Sequence, residues 1–233
     1  MKDILFPPPA PVLVPTTDGR AFPVRRLFCV GRNYAAHARE MGSDPDRMPP
    51  FFFTKWAEVV VPSGSVIAYP QATNDYHYEA ELVVAIGKGG RDISAGDALD
   101  HVYGYATGLD MTRRDLQGVA KDRGQPWDWG KNVEQSAPLG PIHPAHASGH
   151  IARGRIALTL NGETKQDANI ADMIWPVPNI IAFLSTAYRV EPGDLVYTGT
   201  PAGVGAVRTG DRIVVSIDGL SDTIVDIGPP ARD

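Results

Sequence analysis

Short apolar runs, each closed off by turn residues, recur along the chain. They include Glu58–Val61, Tyr78–Ile86, Val102–Leu109, Ile156–Leu160, Leu195–Thr198, Ile213–Ile217 and Thr223–Ile227. Runs of this length bounded by Gly, Pro, Asn and Asp read as strands. The 24 glycines and 21 prolines are about a fifth of the 233 residues, against a usual ~12%. Turns are therefore frequent and elements short, which argues against a helical bundle. Asn161-Gly162, between Leu160 and Glu163, is a strong hairpin signal, and the turns Glu191-Pro192-Gly193-Asp194 and Arg208-Thr209-Gly210-Asp211 feed strands.

Helices are few. Asn33–Met41 is one candidate. Thr112–Asp122 is a second, opened by Thr112 with Asp115 three residues on. Pro178–Arg189 is a third, with a proline in its first turn and apolar Ile180, Ile181, Phe183 and Leu184. The expectation is an α+β fold, mostly β, in one continuous body over residues 26–233. A Pro-rich leader, residues 1–25, packs on that body, with room for one hairpin at Thr16-Thr17-Asp18-Gly19.

The net charge of −5, from 22 basic and 27 acidic residues, argues against nucleic-acid or anionic-membrane partners, which need a basic face. A single cysteine, Cys29, excludes an internal disulfide framework and a Cys-rich zinc site. Pro7-Pro8-Pro9 interrupts any signal-like apolar region, and no stretch reaches the ~20 apolar residues of a spanning helix. The expected compartment is the cytoplasm.

The segment His77–Ile86 carries the most chemistry. On a strand, Tyr78, Ala80, Leu82, Val84 and Ile86 share one apolar face. The other face opens with His77, Glu79 and Glu81 before turning apolar at Val83 and Ala85. Two carboxylates so placed either hold a hard cation such as Mg²⁺, Mn²⁺ or Ca²⁺ or point to water at a strand edge. Asp110 ends the next strand, just before the helix from Thr112. It is either a plain cap or a third ligand near the positive end of the helix dipole. Arg114 and Gln117 then share one face of that helix.

His37 and Glu40 stand three apart on the first helix, as either a general-base dyad or a surface pair. Lys131 follows two tryptophans in Trp127-Asp128-Trp129-Gly130-Lys131, so it is either partly desolvated in a site or a snorkelling surface lysine. The loop Tyr197–Gly205 either presents backbone N–H groups to an anion or is a tight turn. It lacks the signature of a P-loop or a dinucleotide fingerprint.

In order along residues 29–205, the stretches CVGRNYAAHAREMG, PPFFFTK, HYEAELVVAIG, GYATGLDMTRRDLQ, GQPWDWGKN and LVYTGTPAGVG resemble the fumarylacetoacetate hydrolase family. The likeness is greatest to its short bacterial members that hydrolyse fumarylpyruvate and other acylpyruvates. The resemblance implies a roll of mixed β-sheets with flanking helices, assembled as a homodimer. It implies Mg²⁺ or Mn²⁺ held by Glu79, Glu81 and Asp110. His37 and Glu40 would be a water-activating pair on a lid, and Lys131 the active-site lysine. Lys55, Arg114, Gln117 and Thr200 would contact the substrate.

The activity so implied is hydrolysis of the C–C bond of a β-diketo acid, fumarylpyruvate giving fumarate and pyruvate, in gentisate-type breakdown of aromatic compounds. Water deprotonated by the His37–Glu40 pair attacks the distal carbonyl, and the leaving carbon departs as an enolate beside Lys131. Decarboxylation or tautomerisation of oxaloacetate, and isomerisation of a hydroxymuconate, pass through a similar enolate and are the alternatives within the family. A non-catalytic metal-dependent binding protein is the alternative outside it. Two departures from the family pattern stand near the site: Trp56 replaces the usual proline after Lys55, and Asn132-Val133-Glu134 follows Lys131 where Phe and Asp are common.

Overall fold

The computed structural model describes residues 4–40 and 49–231, the side chains of residues 38–40 excepted. Its centre is a mixed sheet in the order Phe51–Lys55, Arg26–Gly31, Asp194–Tyr197, Ala80–Ile86, Val102–Leu109, Ala137–Leu139, Val60–Pro62. Most neighbours are antiparallel, but Asp194–Tyr197 runs parallel to Arg26–Gly31, and Ala137–Leu139 parallel to Val60–Pro62. A second sheet joins Glu163–Asn169, Arg155–Leu160, Arg212–Ile217, Thr223–Gly228 and Val66–Ala68. A small third sheet pairs Thr112–Arg113 and Gly205–Ala206 with the two edges of Tyr76–Tyr78. The architecture is mostly β with a few flanking helices, as the run lengths required.

The hydrophobic effect explains why the central sheet is covered on both faces. All seven residues of Ala80–Ile86 are buried. Leu82, Val84 and Ile86 enter one apolar cluster with Tyr105, Leu158, Ile181 and Val215. Val83 and Ala85 enter the other, with Leu27, Cys29, Leu139 and Leu195. The hairpin of Leu13–Pro15 and Ala21–Pro23 caps the second cluster with Val14 and Phe22, and Thr17 and Pro15 tie it to Ile142 through backbone bonds.

Among the described residues five α-helices flank the sheets: α1 (Ala35–Glu40), α2 (Arg114–Asp122), α3 (Asp128–Lys131), α4 (Ala145–Ser148) and α5 (Val177–Ala187). Asn161 and Gly162, both with positive φ, make the expected two-residue hairpin, with Leu160 opposite Glu163.

Three expectations are corrected. The second helix starts at Arg114, not Thr112, and has no side-chain N-cap. Thr112 is drawn into the small sheet opposite His77, and its hydroxyl donates to the carbonyl of Asp110. Asp110 therefore lies four residues before the helix, so the helix dipole does not account for its placement. The run from Tyr78 is not one strand, because the chain leaves the small sheet at Tyr78 and enters the central sheet at Ala80. Glu79 is the residue at which it crosses.

Candidate active site

The crossing at Glu79 builds the site. Ala80 pairs with Leu109 and Glu81 with Gly108, and the N–H of Asp110 donates to the carbonyl of Glu79 at 2.9 Å. Strand register thus sets Asp110 beside Glu79, while the two-residue period keeps Glu81 on the same side. Ligand oxygens of Glu79, Glu81 and Asp110 lie within 4.8 Å of one another, all on buried residues.

Three carboxylates out of water need compensation. The Lys131 ammonium donates to Glu79 Oε2 at 2.6 Å and to Asp110 Oδ2 at 2.7 Å. Lys55 donates to Asp110 Oδ1 at 2.6 Å, and the Arg114 guanidinium pairs with Glu79 Oε1. Burial resists ionisation of Glu79, but Lys131 and Arg114 outweigh it and hold this carboxyl well below the usual range. Burial likewise works against the charge on Lys131, and the Asp110 and Glu79 charges overcome it and raise the ammonium's pKa.

Glu81 differs. Burial pushes its carboxyl well up, and the charges of Asp110 and Glu79 push it further. Its Oε2 accepts the Gly199 N–H at 2.7 Å, and no cationic side chain pairs with it among the described residues. Three carboxylates balance three cations here, yet Glu81 stays underserved. A hard divalent cation bound by Glu79, Glu81 and Asp110 would supply the charge Glu81 lacks, and an all-oxygen donor set suits Mg²⁺ or Mn²⁺. The residues fit such an ion. In the glycine-rich loop the Gly199 N–H is taken by the protein's own Glu81 carboxyl.

A cavity opens onto these carboxylates. His37, Arg114, Gln117, Lys131 and Thr200 line it, with Arg32, Phe53, Lys121 and Trp127. The hydrogen-bond pattern leaves donors aimed at a ligand. Arg114 donates to Gln117 Oε1, so the Gln117 amide keeps its two N–H groups. Gln166 Nε2 donates to Thr200 Oγ1 at 2.8 Å, so the Thr200 hydroxyl is left to donate. Lys131 spends two of its three N–H groups on carboxylates and sits 4.9 Å from the Phe53 ring centre. A wall of donors around clustered carboxylates and cations suits an oxygen-rich anion.

Lys55 stands apart from the other expected substrate contacts. Its side chain is fully buried, and it spends all three N–H groups on Asp110 Oδ1, the Met111 carbonyl at 3.1 Å and the Ser136 carbonyl at 2.9 Å. It does not line the cavity. The geometry makes it a support for Asp110 rather than a hand on the substrate. Trp56, the departure beside it, is 59% exposed, so its ring lies away from the buried carboxylates. The backbone N–H of Trp56 donates to Asn132 Oδ1 at 2.9 Å, which joins the two departures to each other.

His37 is buried in the cavity wall, close enough to Glu79 for a positive imidazole to lower its pKa. Glu40 ends α1, and its side chain lies outside the described residues, as do residues 41–48.

Asn33, which sequence reasoning passed over, anchors the base of α1. Its Nδ2 donates to the carbonyls of Thr198 at 2.8 Å and Trp175 at 2.9 Å, and its Oδ1 accepts from the Trp175 N–H. Gln166 was also missed. It is the one buried residue of the exposed to half-buried strand Glu163–Asn169 and ties the Ala80 N–H to Thr200 and Pro201. A lone buried amide on a polar strand leaves no periodic signal, because its role depends on what packs opposite.

The family model described as fumarylacetoacetate (FAA) hydrolase C-terminal matches residues 26–227. The chain belongs to the fumarylacetoacetate hydrolase family. Among curated relatives, the fumarylpyruvate hydrolase of Ralstonia sp is 51% identical over 179 residues, 77% of this chain and 93% of that protein. The mitochondrial oxaloacetate tautomerase of Arabidopsis thaliana is 37% identical over 202 residues, 87% of this chain and 90% of that protein. Among solved structures, fumarylpyruvate hydrolase from Pseudomonas aeruginosa in complex with Mn²⁺ and pyruvate superposes with a TM-score of 0.95 at 52% identity. That match covers 97% of this chain and 100% of the other.

Proposed function

We propose that this member of the fumarylacetoacetate hydrolase family is a metal-dependent hydrolase of acylpyruvates, cleaving fumarylpyruvate to fumarate and pyruvate. The observation that carries this reading is that His37 lines the same cavity as Glu79, Glu81 and Asp110. A base set against a cation site can activate water for attack on carbon, a step that metal-assisted decarboxylation does not need. The likeness to two fumarylpyruvate hydrolases, one holding Mn²⁺ and pyruvate, supports the same substrate.

When bound by the three carboxylates, Mg²⁺ or Mn²⁺ supplies Lewis-acid polarisation and charge neutralisation. The chain's own residues do the rest. Gln117 and Thr200 donate to the oxygens of the α-keto acid end, with Arg114 beside them. The His37 imidazole takes a proton from water, and the resulting hydroxide adds to the distal acyl carbon. The C–C bond breaks with its electron pair passing to the three-carbon fragment as an enolate. The remaining N–H of Lys131 faces that developing charge, an electrostatic contribution set in place before reaction. The imidazolium returns its proton to the enolate carbon, which yields pyruvate. Glu40, in this reading, keeps the imidazole basic.

The reading extends to a homodimer acting in the cytoplasm, within the breakdown of aromatic rings of the gentisate type. No helix among the described residues is long and apolar enough to cross a membrane. A second reading, oxaloacetate tautomerisation or decarboxylation, draws on relatives such as the Arabidopsis thaliana protein and needs no activated water. The test is a panel of fumarylpyruvate, acetylpyruvate, oxaloacetate and fumarylacetoacetate, with chelated enzyme and with added Mn²⁺ or Mg²⁺. Fumarylpyruvate should give the highest kcat/KM, only with metal. Metal-independent cleavage, or turnover of oxaloacetate alone, would overturn the proposal.

A further inference from the structure

The cavity has a second cationic end that the mechanism does not use. Arg32 lines its wall with a backbone φ of 58°, a left-handed conformation uncommon for residues other than glycine. The residue before it is glycine for a packing reason, since a Cβ on Gly31 would stand 2.0 Å from the Phe51 ring. With Phe51 so close, the Arg32 guanidinium rests over that ring at 5.5 Å. Among the described residues it has no carboxylate partner. Arg114 and Lys131 at the inner end are tied to Glu79 and Asp110, whereas no carboxylate among the described residues holds the Arg32 charge.

Aromatic rings join the two ends. Phe51 meets Trp127 edge-on at 5.2 Å, and Trp127 meets Phe53 at 5.7 Å. Phe53 in turn lies 4.9 Å from the Lys131 ammonium. The contacts therefore run cation, three rings, cation, and of these rings Phe53 and Trp127 line the cavity. Lys121 lines the same cavity, one turn beyond Gln117 on α2. An elongated planar acid with a carboxylate at each end matches this order. One end meets Lys131 and the carboxylate cluster, the unsaturated middle lies along the rings, and the far carboxylate meets the guanidinium.

We infer that Arg32 is a specificity-determining residue, which selects acylpyruvates bearing a second carboxylate at the end of the acyl chain over those ending in an alkyl group. This rests on the acylpyruvate reading above. It assigns to Arg32 no part in bond cleavage.

The test compares fumarylpyruvate with acetylpyruvate, which lacks the far carboxylate, in Mn²⁺-loaded wild-type enzyme, Arg32→Gln and Arg32→Lys. A charge-assisted hydrogen bond is worth about a 10–100-fold effect in binding. The ratio of kcat/KM for fumarylpyruvate over acetylpyruvate should fall by about that factor in Arg32→Gln, mostly through KM, with part of it restored in Arg32→Lys. Inhibition by fumarate should weaken in parallel in Arg32→Gln. Turnover of acetylpyruvate by the same preparation serves as the check on folding, and if Arg32→Gln does not fold, the ratio in Arg32→Lys decides. An unchanged ratio with unchanged fumarate inhibition would overturn the assignment of Arg32 while leaving the hydrolase reading intact. Wild-type enzyme inactive on both acids would overturn the hydrolase reading and this inference with it.

Discussion

Lys55→Met is the sharpest test of how the carboxylate cluster is held. Methionine keeps the length and apolar stem of lysine but removes its charge. The Lys55 side chain is fully buried, as is that of Asp110, and its three N–H groups serve Asp110 Oδ1 and the carbonyls of Met111 and Ser136. Removing one partner of a buried ion pair costs about 3–5 kcal/mol, because the other charge stays behind without compensation. For a chain of this size, each kcal/mol lowers the melting temperature by about 2–4 °C, so the metal-free variant should melt about 6–20 °C below wild type.

The cluster loses one of its three cations. Saturating Mn²⁺ should therefore recover a larger share of stability in the variant than it adds to wild type, a gain that grows as RT ln(1 + [L]/Kd). The assays are thermal unfolding with and without Mn²⁺ and steady-state kinetics on fumarylpyruvate. Loss of kcat together with stability is expected, since Asp110 loses its support. A variant that melts within about 2 °C of wild type, with raised KM and unchanged kcat, would refute this reasoning and make Lys55 a substrate contact.

His37→Ala should lower acylpyruvate cleavage by about 10²-fold or more, while any oxaloacetate decarboxylation falls much less, since only the first needs a base for water; equal losses on the two substrates would place the imidazole elsewhere in the chemistry. Gly199→Ala should destabilise the chain by about 1–3 kcal/mol and weaken Mn²⁺ binding, both measurable by calorimetry. Gly199 has φ of 95°, an added Cβ would stand 2.7 Å from Asn33 Cβ, and its N–H holds Glu81. His143 accepts the Ser221 N–H on its Nε2 at 2.9 Å, and burial lowers the imidazole's pKa below its ordinary value. The unfolded chain therefore takes up the proton first, near pH 6.5. The stabilising contribution is whole above that pH and is lost as pH falls toward the lower folded-state value. Denaturation midpoints between pH 7.5 and 5.5 should accordingly fall more steeply for wild type than for His143→Gln, and parallel slopes would count against this.

What was legible in the sequence was local. Strand runs, the Asn161-Gly162 hairpin and the shared face of Glu79 and Glu81 follow from a two-residue period and from turn chemistry. The Arg114–Gln117 pair follows from helical spacing. Element ends were less legible. Thr112 has the chemistry of a helix cap, yet pairing with His77 and the bond to the Asp110 carbonyl claim it first. The switch of sheets at Glu79 also escaped a reading of Tyr78–Ile86 as one strand, because alternation is the same on either side of the crossing.

The placement of charges belonged to the tertiary structure. Lys55 and Lys131 both look like site lysines in the sequence. One is locked on three acceptors behind Asp110, and the other keeps an N–H toward the cavity. Asn33, Gln166 and Arg32 gave no periodic signal, since their partners are Thr198, Ala80 and Phe51, 19 to 165 residues away in the chain. The sequence by itself determined which groups carry charge and which segments become strands, because those depend on side-chain chemistry and on neighbours within a few residues. Which lysine supports a ligand, which faces the cavity and which arginine rests on an aromatic ring depended on strand register and sheet crossing, since a buried charge is defined by the atoms that replace its water.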